Sequence, residues 1–288
     1  MPGHLDVHDP GRTTEDPVHL QAAERRAAVP PPPVPRPRLS FTDAFTAALR
    51  GSAVEVVGPD GQVSALPVQS WRRVDAADEA MLAHCVGPTV DLGCGPGRMG
   101  ARLAERGGHV LGVDVVDEAV LQTRQRGVPA LRRDVLGPLP GEGRWGSVLL
   151  ADGNLGIGGD PLALLRRARA LLARGGRVVV ELDAPGTATP PFWSRLRLDG
   201  VESRPFRWAL VGADAVGDLA RRARLELGLL DHVDGRWFAV LHRPDRPDRP
   251  DRPDRPDRPD RPDRPDRPDR PDRPDRPDRP DRPGRPGR

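Results

Sequence analysis

The chain has 288 residues and a formal charge of +3, and the Arg-Pro-Asp repeat of residues 243–288, with 16 Arg and 13 Asp, carries all of that excess. Residues 1–242 are therefore charge-balanced, which removes support for nucleic-acid binding through a basic folded surface. All 45 basic residues are arginine and tyrosine is absent, so a catalytic lysine, a Schiff base and a tyrosine acid are excluded, while two cysteines, Cys85 and Cys94, supply neither a metal framework nor a disulfide pattern.

In chain order, residues 1–38 are poor in apolar groups and include "VPPPPVPRPR", and they are expected to be disordered, with "HLQAAERRAA" at most transiently helical. This N-terminal stretch lacks an apolar signal core and no run approaches 18 apolar residues, so the expectation is a soluble cytoplasmic protein without a membrane span. "FTDAFTAALRG" (41–51) has helical apolar spacing and a terminal glycine. "AVEVVGPDGQVSALPV" (53–68) is two β-rich runs around Pro-Asp-Gly, a hairpin. "DAADEAMLAHCVGP" (75–88) is a helix with an acidic start. From here strands and helices alternate. Strands are expected at 89–92, 109–115, 129–135, 145–152 and 177–183, with helices at 97–106, 117–127 and 160–176 between them. The last of these helices has Asp160 to cap it, Pro161 at its first position and Gly175-Gly176 as its stop. Such alternation implies a parallel sheet covered on both faces. Residues 184–212 are irregular with a β-ribbon, 213–224 form a helix, and 225–243 form a terminal hairpin around Asp234-Gly235. From Arg243 a proline at every third position, with no apolar residue to bury, implies a disordered, semi-stiff tail. The chain thus divides into a disordered segment 1–38, one domain at 39–242 and the tail 243–288. Deleting the tail is expected to leave cofactor affinity and melting temperature nearly unchanged.

The stretch "TVDLGCGPGRMG" (89–100) places a glycine-rich turn between a strand and a helix. Read from Gly95 it is G-x-G-x-x-G, the pattern of a dinucleotide-binding turn. Read from Asp91 it is D-x-G-x-G-x-G, which resembles the first motif of S-adenosylmethionine-dependent methyltransferases. Either ligand suits a turn that brings backbone close and offers free N–H groups at a helix N-terminus. Asp91 discriminates between them. It would repel a pyrophosphate, whereas S-adenosylmethionine brings an α-ammonium group that a carboxylate attracts. Asp114 ends the second strand of the alternation, where it can accept both ribose hydroxyls. Asp134 ends the third, where it can accept from an adenine amino group.

Residues 89–183 resemble the core of class I S-adenosylmethionine-dependent methyltransferases, on the strength of "DLGCGPG", "GVD" and "RGGRVVVELD". Ala173-Arg174 stand where that family usually has Pro. The wider chain, with "ADGNLGIGGDP" and "FRWALVGADA", resembles a small-molecule group of these enzymes. The resemblance implies an α/β, Rossmann-like seven-stranded sheet with helices on both faces, strand order 3-2-1-4-5-7-6 and strand 7 antiparallel, plus a small N-terminal helix and hairpin. It implies S-adenosylmethionine as cofactor, held by Asp91, Gly93, Cys94, Gly95, Gly97, Asp114, Val115, Asp134, Val135 and Asp152. Asp152 and Asn154, in the stretch leaving the fourth strand, are the candidate catalytic residues, Asp152 as base. His232 and His84 are weaker candidates for that base, and His109 is expected to be structural. Cys94 is expected to be a small packing residue.

The Pro-Pro-aromatic motif of amino-methylating nucleic-acid enzymes is absent, and neither cysteine sits in the Pro-Cys context that cytosine C5 methylation needs. The expected partner is a small molecule, methylated on O or N, with no nucleic acid, membrane or metal. An NAD(P)-dependent oxidoreductase using Gly95–Gly100, and a non-catalytic cofactor-binding protein, remain alternatives from the residues alone. Residues 184–212 and 41–68 are expected to flank the same sheet edge as a substrate lid. Within them Arg195, Arg197, Arg204 and Arg207 either favour an acidic substrate or form the wet face of a strand, and Phe192, Trp193, Phe206 and Trp208 either wall the substrate or pack the lid.

Overall fold

The structure, a computed structural model, describes residues 39–187 and 190–245. The expected disordered segment 1–38, and residues 246–288 of the tail expected at 243–288, lie outside the described residues. In chain order the elements are α1 (Phe41–Leu49), β1 (Val54–Val57), β2 (Val63–Ala65), α2 (Ala76–Ala83), β3 (Thr89–Leu92), α3 (Arg98–Glu105), β4 (Val110–Asp114), α4 (Asp117–Gln125), β5 (Ala130–Arg132), β6 (Trp145–Leu150), α5 (Pro161–Leu171), β7 (Leu172–Leu182), β8 (Phe192–Leu198), β9 (Val201–Glu202), β10 (Phe206–Trp208), α6 (Val216–Arg222), β11 (Glu226–Val233) and β12 (Arg236–His242). Short 3-10 turns cover Ser70–Arg72 and Asn154–Gly159. No helix among the described residues is long and apolar enough to cross a membrane.

Seven strands form the main sheet in the order β11-β12-β7-β6-β3-β4-β5. β3, β4, β5, β6 and β7 run parallel, and β12 pairs antiparallel with β7. This is the order 3-2-1-4-5-7-6 implied by the resemblance. The strands divide their side chains by the two-residue period of a pleated strand. Val148, Leu150, Val178 and Val180 face α5 and α6, where Leu164, Leu165, Ala168, Leu171, Val216 and Ala220 complete one core. Leu149 and Val179 point the other way, against Met81 and Leu82 of α2 and Met99 and Leu103 of α3. Each fully buried leucine on these faces contributes roughly 1.5–3 kcal/mol.

The 41–68 and 184–212 segments do more than flank the edge. They pair into one second sheet, β10-β8-β1-β2 with β9 on β8, in which Val54–Val57 of β1 lies antiparallel to Leu198–Arg195 of β8. Ser40 starts α1 with a reciprocal cap to Asp43. α1 then packs Ala44, Ala48 and Leu49 against Val116 and Ala119 at the head of α4 and Leu196 of β8. The second sheet is thus fastened over the C-terminal end of β4.

One boundary differs from the expectation. The helix expected over 160–176 ends at Leu171, and β7 begins at Leu172, whose backbone is already extended (φ −67°, ψ 142°). Gly175-Gly176 is not the helix stop. It shapes an irregularity where β6 pairs Trp145 with Leu172 and then Ser147 with Arg177. A Cβ on Gly176 would lie 3.0 Å from the carbonyl oxygens of Ala173, Gly146 and Trp145, so only glycine fits there. The same bulge holds Arg243, whose N–H donates to Gly176 and whose carbonyl accepts from Gly175. The guanidinium of Arg243 also donates to Leu172 O. The first residue assigned to the tail therefore belongs to the fold. A truncation removing 246–288 is the appropriate form of the tail test, with a melting temperature within about a degree of the full chain expected, whereas one starting at Arg243 also removes these hydrogen bonds at ~1 kcal/mol each.

Candidate active site

β3 is buried along its whole length, as a central parallel strand must be. Asp91 sits in its middle, in register with Gly112 of β4 and Leu149 of β6. Its side chain is buried and its Oδ2 accepts no hydrogen bond. Burial pushes this carboxyl up to about 7; the nearby Asp152 adds to the rise, Arg98 opposes it, and Asp114 adds again.

The glycine turn follows directly. Gly93 N and Cys94 N both donate to Val113 O at 2.8 and 3.1 Å, which pins the turn to β4. Gly95 (φ 52°) and Gly97 (φ 84°) both lie in the left-handed region, for different reasons. A Cβ on Gly97 would meet Thr123 at 2.6–2.9 Å, so that glycine lets α4 approach. A Cβ on Gly95 would meet nothing within 4 Å, so that glycine leaves open space at the turn. Thr123 Oγ1 donates to Gly95 O (2.9 Å) and lies 3.5 Å from Cys94 Sγ. Burial holds the Cys94 thiol well above the usual range, in keeping with a packing residue.

Asp114, at the end of β4, accepts from Gly95 N (3.0 Å) through Oδ2 and from Val116 N (2.9 Å) through Oδ1. Burial raises its carboxyl above the usual value, against these backbone donors and Val115 N. Asp134 follows β5 and accepts from Leu136 N at 2.9 Å. Gly93, Cys94, Gly95, Asp114, Val115, Asp134, Val135, Asp152 and Asn154 all line one cavity of about 1090 Å³. Asp91 and Gly97 are not on its wall; Asp91 is buried within β3 and Gly97 packs against Thr123 of α4.

Asp152 leaves β6 in the left-handed region (φ 55°), an uncommon conformation for a non-glycine residue. Glu181 of β7 accepts from its N–H at 2.6 Å. The guanidinium of Arg98, at the head of α3, donates to both carboxylate oxygens of Asp152 (2.7 and 2.9 Å) and to both of Asp78 in α2 (2.8 and 2.9 Å). Arg236 of β12 joins Asp75, Asp78 and Glu181 at 2.8 Å and approaches Asp152 at 3.7 Å. Burial raises the Asp152 carboxyl, the Arg98 hydrogen bonds pull it back, Glu181 raises it and Arg236 lowers it; the balance stays above the usual value. This network was not foreseen from the sequence. Its members come from five separate elements, and Arg98 reads locally as one variable position of the glycine motif.

Asn154 has a part other than the one expected. Its amide donates to Leu92 O (3.1 Å) and Gly93 O (2.8 Å), tying the turn to the end of β6, and both of its N–H groups are thereby used. The histidines lie off the cavity: His84 packs against Phe238, His232 against Trp237, and His109 is exposed at the start of the second strand. Of the arginines, Arg195 and Arg197 point to the outer face of β8 and pair with Glu202 and Glu55, while Ser194 and Leu196 point inward. Arg204 is exposed, and Arg207 reaches the cavity wall. Phe192, Phe206 and Trp208 line the cavity and Trp193 does not. Among the described residues no group of His, Cys, Asp and Glu is arranged to hold a metal.

A family model described as a methyltransferase domain matches residues 89–176. Among solved structures, the fold is similar to an S-adenosylmethionine-dependent methyltransferase from Bacteroides fragilis in complex with S-adenosylhomocysteine, with 16% identity over 69% of this chain and 92% of that one and a TM-score of 0.59. Weaker likenesses include the CcbJ methyltransferase of Streptomyces caelestis (21% identity, 57% and 88% covered, TM-score 0.47) and a 1,6-didemethyltoxoflavin-N1-methyltransferase of Burkholderia thailandensis (20%, 75% and 94%, TM-score 0.48). No curated protein sequence matches the chain. The matched domain spans β3 to the bulge of β7, and the sheet around it ends in an antiparallel hairpin, which favours the methyltransferase reading over the oxidoreductase reading of Gly95–Gly100. Residues 89–176 match a methyltransferase domain, and the sheet around them has the fold of S-adenosylmethionine-dependent methyltransferases, with the glycine turn of residues 93–97 at the C-terminal end of its first parallel strand.

Proposed function

We propose that this chain transfers a methyl group from S-adenosylmethionine to an oxygen or nitrogen atom of a small molecule. The carrying observation is the single cavity of about 1090 Å³ with the glycine turn and the strand-end acids on one side and the second sheet on the other. Ligand pockets typically hold ~300–1,000 Å³, so there is room for a cofactor and an acceptor together.

The residues fit the cofactor. The open space at Gly95 admits a ligand close to the backbone, and the unpartnered Oδ2 of Asp91, buried off the cavity wall, is an acceptor for an ammonium group that enters past the turn. Asp114 has lone pairs left for a ribose diol, Asp134 for an amino group, and Val115 and Val135 supply apolar contact beside them. When bound, the cofactor supplies a methyl group on a sulfonium, so that a lone pair of the acceptor forms the new bond while the C–S electrons stay on sulfur. Asp152 stands on the cavity wall to accept the acceptor's proton, and its raised carboxyl moves toward the range a base needs. Arg98 and Glu181 hold it in place. Asn154 acts as a positioning residue for the turn. The second sheet excludes water. Alignment of two ligands in one enclosed space can supply up to ~7–11 kcal/mol of such a barrier.

The test is transfer of label from S-adenosyl-[methyl-³H]methionine to the small-molecule fraction of an extract, against calorimetry with S-adenosylhomocysteine and NADH. Labelled product with S-adenosylhomocysteine binding supports the reading; binding of NADH alone sinks it. Asp91 adds a proton signature. Its raised pKa means that the free protein holds a proton there below about pH 7, and an ammonium placed beside it drives that proton off. Calorimetry near pH 6 in buffers of different ionisation enthalpy is expected to show release approaching one proton per S-adenosylhomocysteine bound, with affinity rising toward neutral pH. Asp91→Asn should abolish the release and weaken binding at pH 8 by ~1–3 kcal/mol. An unchanged affinity and unchanged proton count in Asp91→Asn would remove Asp91 from the cofactor site.

A further inference from the structure

Aromatic residues are scarce in this chain, with five Phe, five Trp and no Tyr. Six of those ten rings line the one cavity: Phe41, Phe45, Trp71, Phe192, Phe206 and Trp208. They come from α1, the Ser70–Arg72 turn, β8 and β10, all elements of the second sheet and its supports. They are also ordered against one another. Phe45 and Trp71 stack with centroids 5.6 Å apart and planes 17° from parallel, while Phe41 meets Phe206 edge-on at 4.9 Å and Phe206 meets Trp208 edge-on at 6.2 Å.

The charged groups of the wall are mostly acidic. Its charged residues are Asp60, Asp114, Asp134, Asp152 and Arg207. Arg207 is drawn toward Trp193, with its guanidinium carbon 5.9 Å from that ring's centre, and Trp193 is not on the wall. Ser194 Oγ is spent on Val57 O and the Asn154 amide on the turn. With Asp114 and Asp134 beside the glycine turn and Asp152 paired with Arg98, the acceptor half offers mainly ring faces and edges, with Asp60 as its one unassigned carboxylate and Arg207 drawn to Trp193, and so little to hold an anion.

Resting on the methyl-transfer reading above, we propose that the acceptor is a flat aromatic or heteroaromatic small molecule without negative charge, held against the rings of the second sheet with its hydroxyl or amino group toward Asp152. Aliphatic acceptors lose the ring contacts, and carboxylates or phosphates meet a wall of rings and Asp60.

The experiment is calorimetry on the full chain saturated with S-adenosylhomocysteine, using three probes: 2-naphthol, decahydro-2-naphthol and 2-naphthoate. The expected result is that 2-naphthol binds at least tenfold tighter than either of the others. Trp71→Ala should lower its affinity about tenfold and Trp71→Phe should recover most of it, while S-adenosylhomocysteine affinity stays at the parent value; Phe45→Leu replaces Trp71→Ala if that variant does not fold. Decahydro-2-naphthol within threefold of 2-naphthol, tighter binding of 2-naphthoate, or no binding of any probe to cofactor-loaded protein overturns the proposal while leaving methyl transfer intact. Selective 2-naphthol binding by a chain that does not take S-adenosylhomocysteine keeps the aromatic site and sinks the methyl-transfer reading instead.

Discussion

Asp114→Ala is expected to weaken S-adenosylhomocysteine binding by ~2–4 kcal/mol, or roughly 30- to 1000-fold. The magnitude follows from two neutral hydroxyls of a ribose losing a charged acceptor. The structure adds a second component. Asp114 also accepts from the backbone of Gly95 and Val116, so the alanine variant leaves two N–H groups without that acceptor and loosens the turn itself. Asp114→Asn separates the two parts, because an amide oxygen still accepts one of these bonds but brings no charge. Calorimetry should place the asparagine variant between the parent and the alanine variant. Apo stability moves less than affinity, since removing a carboxyl that burial has already raised relieves a desolvation cost. An alanine variant that binds S-adenosylhomocysteine within threefold of the parent would show that the ribose lies elsewhere.

What could be read from the sequence was what is local. "TVDL" is β3 to the residue, because four apolar-compatible positions before a run of glycines can only be a buried strand and its exit. The turn and Asp114 were placed at strand ends by the same period, whereas β5 stops at Arg132 and leaves Asp134 two residues beyond the strand expected to end with it. The order of the seven strands came from resemblance, since no local pattern tells β4 to lie beside β3 or β12 to insert beside β7. The second sheet was legible only as separate pieces. β1 and β8 are joined by backbone pairing across some 140 residues of chain, and such pairing leaves no periodic trace. The end of α5 was misplaced because Gly175-Gly176 is a strong helix stop by composition, yet the space between β6, β7 and Arg243 claims both glycines for a bulge. Asn154 was singled out for its place after β6, correctly as a wall residue, but its donors face inward to the turn. Arg98 was overlooked for the converse reason, since a lone arginine beside glycines gives no hint that two buried carboxylates wait for it.

That arginine carries the largest expected stability effect. Arg98→Met removes the fork that pairs Asp78, whose side chain is wholly buried, and Asp152. Breaking a buried pair while its partner stays costs ~3–5 kcal/mol, and at ~2–4 °C per kcal/mol for a domain of this size the melting temperature at pH 7 should fall by roughly 6–20 °C. The pH dependence identifies the cause. Burial pushes the Asp78 carboxyl up, but hydrogen bonds and charge from Arg98, joined by Arg236, more than cancel it and hold it below the usual value. A carboxyl with a depressed folded pKa stabilises the fold above its unfolded pKa, and that contribution disappears as pH falls through the folded value. Without Arg98 only Arg236 is left to oppose burial, and Asp78 takes up a proton more readily. The gap between parent and variant should therefore be widest near neutral pH and narrow as pH falls below about 4, where the parent loses the same charge interaction. Thermal melts from about pH 3.5 to 8 measure it. Adding Asp78→Asn to Arg98→Met should recover part of the loss at pH 7, because a buried charge left with Arg236 as its one cation is then gone. A fall of two degrees or less, constant with pH, would mean that Asp78 and Asp152 are satisfied without Arg98, and that Arg236 and Glu181 alone hold the end of β6 in its left-handed turn.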